Sequence, residues 1–328
     1  MAIQFSGIYA TYLRSFIDVK RHCGFKYNTE EKILHLFDKL TIRRGEHIIG
    51  ISKGLAMKWS KRRDNESEAY CYKRCITLNQ FALYLNQNGK ESAICHAPKP
   101  KKTFVPYIYT HAETDSILST SDKMVCTPVH SDSIRFLMPV LLRFLLCTGV
   151  RVGEALNLKD QDMNIEQRVF ILQDTKNGKE RLLPFSESLS IVLKQYLYHR
   201  NRLNPNKSTP WFFVSVRGKK CCSEQIYKVF RYILKKSGIP FRGNHYGPHV
   251  HSLRHTFAVR SLLQMVESGM DIYCTLPILS TYLGHQSIEA TNNYVRISTE
   301  IYPKLIHNVE NLFINVFPCL NSDNYEND

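Results

Sequence analysis

Between positions 151 and 294 the chain spaces out six side chains of the types that handle phosphate. Arg151 lies in Cys147-Thr148-Gly149-Val150-Arg151-Val152-Gly153-Glu154, and Lys176 lies in Thr175-Lys176-Asn177-Gly178. His251 and Arg254 stand three apart in His249-Val250-His251-Ser252-Leu253-Arg254-His255. His285 follows Leu283-Gly284, and Tyr294 comes nine residues later. Guanidinium groups grip phosphate oxygens as two-pronged forks. A tyrosine hydroxyl held among them could attack phosphorus, with an imidazole moving its proton. No paired carboxylates accompany the set, as a two-metal phosphoryl-transfer site would need. Each member alone has a plainer explanation. Arg151 could be a surface residue on a helix connection, and Tyr294 is one of 18 tyrosines. Four histidines at 245, 249, 251 and 255 raise the question of a metal, but no nearby Cys, Asp or Glu completes a closed ligand set, so no metal is expected.

These residues need elements to hold them. A strongly apolar helix should end at Thr148-Gly149 and a new one begin near Gly153, which leaves Arg151 in the turn. Val169 to Gln173 and Arg181 to Pro184 read as two strands around Asn177-Gly178, the strongest short hairpin signal, with Lys176 at the edge of the turn. Ser223 should cap a helix carrying Ile226, Val229, Phe230, Ile233 and Leu234, stopped near Gly238. His251 and Arg254 share one face at the start of a helix running through Leu263. Gly284 should break the next helix, and Ser287 can cap the one that brings Tyr294. A further apolar stripe, Leu305 to Val316, covers either its own domain or a neighbouring copy.

The first third of the chain reads as a separate helical unit. Phe5, Ile8, Tyr9, Tyr12, Leu13, Phe16 and Ile17 form one apolar stripe. A second helix should start after Asn28-Thr29 as capping residues, with Ile33, Leu34, Phe37 and Leu40 inward. Leu55 and Trp59 mark a third. A fourth runs from about Ser67 to Asn86, with Tyr72, Ile76, Phe81 and Leu85 buried, and ends at Asn88-Gly89. Ala97-Pro98-Lys99-Pro100-Lys101-Lys102 should be extended. The expected layout is therefore a helical domain over 1–97, a linker over 98–104 and a second domain over 105–328.

Charge supports that division. The 328 residues hold 44 Lys and Arg against 29 Asp and Glu, a net charge of +15. Residues 1–102 hold 19 and 9 of these, so most of the excess lies in the first third. An excess of that size points to a polyanion. Aromatic and apolar content exclude a disordered chain. The most apolar window, from Ile134 to Cys147, is interrupted by Arg135, Pro139 and Arg143 and is too short to span a membrane. No secretory leader is legible at the N-terminus, and the ten scattered cysteines form no CxxC pair. A cytoplasmic protein with reduced thiols is expected.

Four strings in order, TGVRVGEALNL, TKNGKERLLPF, HSLRHTFA and LGHQSIEATNNYV, resemble the catalytic motifs of the tyrosine recombinases, the phage-integrase family. The resemblance implies a mainly α fold with a small β-hairpin or sheet (α+β), in which a helical core-binding domain and a catalytic domain form a C-shaped clamp on duplex DNA. It makes Arg151, Lys176, His251, Arg254, His285 and Tyr294 the catalytic set, with His251 chosen because it stands three before Arg254. Lys179 competes with Lys176. Tyr294 would be the nucleophile, His251 the general base and Lys176 the general acid. Arg151, Arg254 and His285 would stabilise the transition state. The product would be a 3′-phosphotyrosyl DNA, with neither ATP, metal nor other cofactor required. The resemblance also implies a homo-tetramer on two specific DNA sites. Lys61, Arg62, Arg63, Lys73, Arg74, Lys101 and Lys102 would meet the DNA backbone. Integration, excision or transposition of a mobile element is the expected role, with chromosome-dimer resolution as the alternative. A type IB topoisomerase and a non-catalytic DNA-binding protein are the other readings. The compact HxLRH and LGH motifs oppose the first, and the intact six positions oppose the second.

Overall fold

The computed structural model describes residues 3–97, 99–100, 105–125, 134–173, 180–204, 209–243, 247–285, 287, 291 and 294. Lys101, Lys102, Lys176, Lys179 and the stripe from 305 to 316 lie outside the described residues. The chain divides into two compact units, residues 1–103 and 104–328.

The first unit has four described helices, α1 (Ala10–His22), α2 (Asn28–Arg44), α3 (Lys53–Ser60) and α4 (Glu68–Gln87). Its core is built from the expected apolar stripes, including Leu13, Phe16, Ile33, Phe37, Trp59 and Phe81. Each such side chain contributes about 1.5–3 kcal/mol by leaving water. Ser52 and Ser67 accept the backbone N–H groups of Leu55 and Tyr70 and so start α3 and α4. Asn88 caps the end of α4, and Gly89 follows in the left-handed region.

Two details depart from the sequence reading. Asn28 and Thr29 do not cap α2; the helix begins at Asn28, after Tyr27 at φ 48° with no side-chain cap. Tertiary contact holds that turn instead, because the Tyr27 hydroxyl donates to Gln80 and its ring meets Phe16 edge-on. In α4, Tyr72 is only half-buried and Ile76 is exposed. The inward line is Cys71, Cys75, Leu78, Ala82 and Leu85. Asn79 exchanges hydrogen bonds with the backbone of Cys95, which straps the following segment onto α4 and favours small side chains there.

The larger correction concerns Arg74, read from sequence as a DNA contact. It is 1% exposed and cannot reach a surface. Its Nε and Nη2 donate to the two carboxylate oxygens of Glu66 at 2.8 and 2.9 Å. It also donates to the carbonyls of Trp59 and Lys61, and its guanidinium lies 4.6 Å from the Trp59 ring centre. Arg74 therefore ties down the 61–66 loop from inside. That loop carries Lys61, Arg62 and Arg63, all exposed. Arg63 rests over Trp59, Arg62 pairs with Glu68 at 3.6 Å, and Lys73 pairs with Glu30 at 3.0 Å.

The second unit is mainly helical with a small antiparallel sheet. Helices α5 (His111–Asp122), α6 (Met138–Thr148) and α7 (Val152–Leu156) precede strands β1 (Met163–Asn164), β2 (Val169–Leu172) and β3 (Arg181–Pro184). The strands lie in the order β1-β2-β3, with Val169 opposite Pro184 and Leu172 opposite Arg181. Helices α8 (Glu187–Leu203), α9 (Ser223–Lys236), α10 (Val250–Glu267) and α11 (Ile272–Leu283) follow. Ser223 is the first residue of α9 rather than its cap, a place taken by Cys222. Helix α10 runs through the interior against α6 and α11, with ten buried residues. No described helix is long and apolar enough to cross a membrane, and every described cysteine is a free thiol.

Candidate active site

Helix α6 is buried on nearly all sides and stops at Gly149, whose φ of 61° suits glycine. A Cβ there would fall 2.2 Å from Cδ1 of Phe257. This tight stop lets α10 approach closely, and the Gly149 carbonyl accepts a 2.7 Å hydrogen bond from Nη1 of Arg254. Arg151 follows in extended backbone at the start of α7. Glu154, one turn on, reaches back to it twice. One carboxylate oxygen accepts the Arg151 backbone N–H at 3.0 Å, and the other meets Nη1 at 2.7 Å. Glu154 also pairs with Arg181 of β3 at 3.1 Å. Burial pushes the Glu154 carboxyl up, but Arg151 and Arg181 together outweigh it and hold it below the usual carboxylate range.

Arg254 stands on the first turn of α10 and is 2% exposed. Its Nη2 donates to the Leu283 carbonyl at 2.7 Å, at the end of α11. Gly284 then turns the chain at φ 64°. Arg181 lies against that turn: its Nη1 donates to the Tyr282 carbonyl, and a Cβ on Gly284 would come within 2.6 Å of the guanidinium carbon. His285 emerges from the turn with its Nδ1 2.7 Å from the Thr291 hydroxyl. Its ring stacks on Tyr294 at 6.0 Å between centres. Tyr294 is 4% exposed, and its hydroxyl lies 2.9 Å from Nδ1 of His255. The His255 ring in turn meets His251 edge-on at 4.8 Å.

The electrostatics are those of a buried cationic pocket. Burial, with Arg151 as a like charge, pulls the Arg254 guanidinium down to about 10, still charged at neutral pH. Burial and the same cationic neighbourhood push His251 and His285 down to about 4, and His255 to about 3, so all three rings are neutral at pH 7. Burial raises the Tyr294 phenol, against the pull of Arg254 and Arg151, so it is protonated until something removes its proton. Such a pocket suits a dianionic, phosphorane-like transition state. Among the described residues no three His, Cys, Asp or Glu side chains gather closely enough to hold a metal ion.

Thus the structure brings Arg151, His251, Arg254, His285 and Tyr294, from three separate motifs, to one end of α10. The hairpin strands that flank Lys176 pair in the same unit. Three side chains of this pocket escaped the sequence reading. Glu154 had a usable signal, an acid three residues after Arg151 at a helix start. Arg181 had none, since its contacts are with α7 and α11. His255 was visible only as one of four neighbouring histidines.

Residues 108–300 match the phage integrase family. Across 91% of its length the chain is 28% identical to a putative integrase/recombinase, y4rB, of Sinorhizobium fredii, covering 96% of that protein. It is 31% identical to the tyrosine recombinase XerA of Pyrococcus furiosus over 69% of this chain and 70% of the relative. Its fold is similar to that of XerH site-specific recombinase bound to difH in a post-cleavage complex, with a TM-score of 0.62 at 20% identity, covering 85% of this chain and 78% of that one. With the family matched over more than half its length, the chain belongs to the phage integrases, the tyrosine recombinases, which are enzymes that cleave and rejoin DNA strands.

Proposed function

We propose that this chain is a site-specific recombinase that cuts duplex DNA by attack of Tyr294 on the scissile phosphate. Arg151 and Arg254 hold the nonbridging oxygens, joined by His251 and His285. The 3′-phosphotyrosyl bond keeps the phosphodiester energy, so the 5′-hydroxyl of a second strand can rejoin it without ATP. Lys176, which the sequence places between β2 and β3, protonates the leaving 5′-oxygen. The observation that carries this reading is the convergence of Tyr294, Arg254, Arg151 and His285 in one buried pocket.

The helical unit meets the phosphate backbone with Lys61, Arg62, Arg63 and Lys73. Lys101 and Lys102 add to that contact. Two such chains on each of two sites make the tetramer in which strands exchange. Integration, excision or transposition of a mobile element is the favoured role, because the integrase relative corresponds over nearly its whole length, while the XerA relative corresponds over about two thirds.

The test is covalent trapping in cells that express the full chain, followed by sequencing of the attached DNA. Wild type should give an adduct with a unique junction, and Tyr294→Phe should give none. An adduct that survives in Tyr294→Phe, or its absence from wild type, would refute the reading. Junctions at element ends support integration or transposition; a single chromosomal locus supports dimer resolution.

A further inference from the structure

His255 has no role in the chemistry just described, yet it touches the reacting atom. It follows Arg254 on α10, is buried, and places Nδ1 2.9 Å from the Tyr294 hydroxyl. The two rings are tilted, with centres 5.7 Å apart. We infer that His255, rather than His251, takes the phenolic proton when Tyr294 attacks. The inference rests on the recombinase reading above and assigns its missing proton acceptor.

A general base must sit about 2.6–3.2 Å from the atom it deprotonates, and His255 does. Accepting at Nδ1 places the ring's own hydrogen on Nε2. The groups that face His255 are His251, His249, Arg254, His285 and Tyr294. Burial, with Arg254 as the charged member among them, keeps the ring neutral, so that Nδ1 can accept the phenolic hydrogen. An incoming phosphate offsets the charge on the arginines, and the ring can then hold a proton. His251 is left to face the phosphate beside Arg254.

The step balances. The Tyr294 Oη–P bond forms as the P–O5′ bond breaks. The phenolic proton passes to Nδ1 of His255, and the 5′-oxygen leaves with the bonding pair and takes a proton from the general acid. In rejoining, a 5′-hydroxyl attacks phosphorus and gives its proton back to the deprotonated general acid, the Tyr294 Oη–P bond breaks, and Tyr294 departs with the proton that His255 returns. His255 is thus base in cleavage and acid in ligation.

The probe is a duplex carrying the junction mapped by trapping, with a bridging 5′-phosphorothiolate. Its sulfur leaves without an acid, so the rate reports proton removal from the tyrosine. For the full chain, His255→Asn should lower the cleavage rate at pH 7 by about 10²–10³-fold. The variant's rate should climb about tenfold per pH unit from 7 to 9, as hydroxide replaces the base, while wild type stays flat. A fluorinated tyrosine of lower pKa at position 294 should restore most of the loss. His255→Gln gives a second polar variant should His255→Asn fold poorly. A wild-type rate in both variants, or a pH-independent loss that fluorotyrosine does not rescue, would overturn the inference and leave the recombinase reading standing. Absence of any wild-type adduct would overturn both.

Discussion

Arg74 of the helical unit and Arg254 of the catalytic unit are both almost completely buried, and the two are treated in opposite ways. In the helical unit, Arg74 is neutralised by both oxygens of Glu66, and it also donates to the carbonyls of Trp59 and Lys61. In the catalytic unit, Arg254 donates to two carbonyls, of Gly149 and Leu283, and no ion pair to it is found among the described residues. Among the described residues, the carboxylate that acts on it, that of Glu154, is committed to Arg151 and Arg181. A carbonyl orients a guanidinium without cancelling its charge. Arg74 is therefore a structural tie, while Arg254 keeps a positive charge in a place where a phosphate can use it.

That contrast can be broken at several points. Arg74→Ala should cost the helical unit about 3–5 kcal/mol, because Glu66 is left buried and unpaired. Chemical denaturation should show the first unit unfolding early. The pair Arg74→Met with Glu66→Leu should recover much of the loss. Arg254→Gln should show the opposite balance. Covalent cleavage should fall by about 10²–10³-fold, the cost of one oxyanion donor, with only a small change in the denaturation midpoint. A larger stability loss than for Arg74→Ala would sink the comparison.

Acid should separate the units next. His251, His255 and His285 have folded pKa values of about 3–4, below the 6.5 of a free imidazole. The unfolded chain therefore binds protons that the fold refuses, so stability falls as pH drops below about 6.5 and keeps falling to about 4. Each group adds up to about 1.4 kcal/mol per pH unit within its window. Melting of the catalytic unit at pH 7 and pH 5 should show this, and His255→Gln should reduce it by the share of one of the three groups. Glu154 acts in the same sense, at lower pH. Its depressed pKa contributes stability that is present above the free carboxylate value and lost as pH falls through the folded one, a lower window that Glu154→Gln should remove.

The smallest effects belong to the exposed loop that Arg74 supports. Lys61→Ala or Arg63→Ala should leave melting unchanged and lower the salt dependence of DNA binding by about one counterion each. A titration across salt concentrations measures it. Ser67→Ala, which removes only the cap of α4, should cost about 1 kcal/mol.

The helices of the first unit were legible because their apolar stripes repeat at helical spacing, and α6, the hairpin strands and the breaks at Gly149 and Gly284 were legible from local signals. The inward face of α4 was misread because Cys71 and Cys75 look less apolar than Tyr72 and Ile76, and only the strap at Asn79 and Cys95 shows why small residues belong there. The site was legible as a set of residue types in order, but Arg181 and the task of His255 were not.

By itself the sequence determined the phosphate-handling residue types, their order and the turns that carry them, since these follow from local spacing and backbone preference. Only the tertiary structure decided which charges are spent. Arg74 and Arg254 both lie on helices in basic stretches, and nothing within a few residues of either tells them apart. The partners that do, Glu66 for one and the carbonyls of Gly149 and Leu283 for the other, are brought up by the fold, and a buried charge takes its function from what is left to neutralise it.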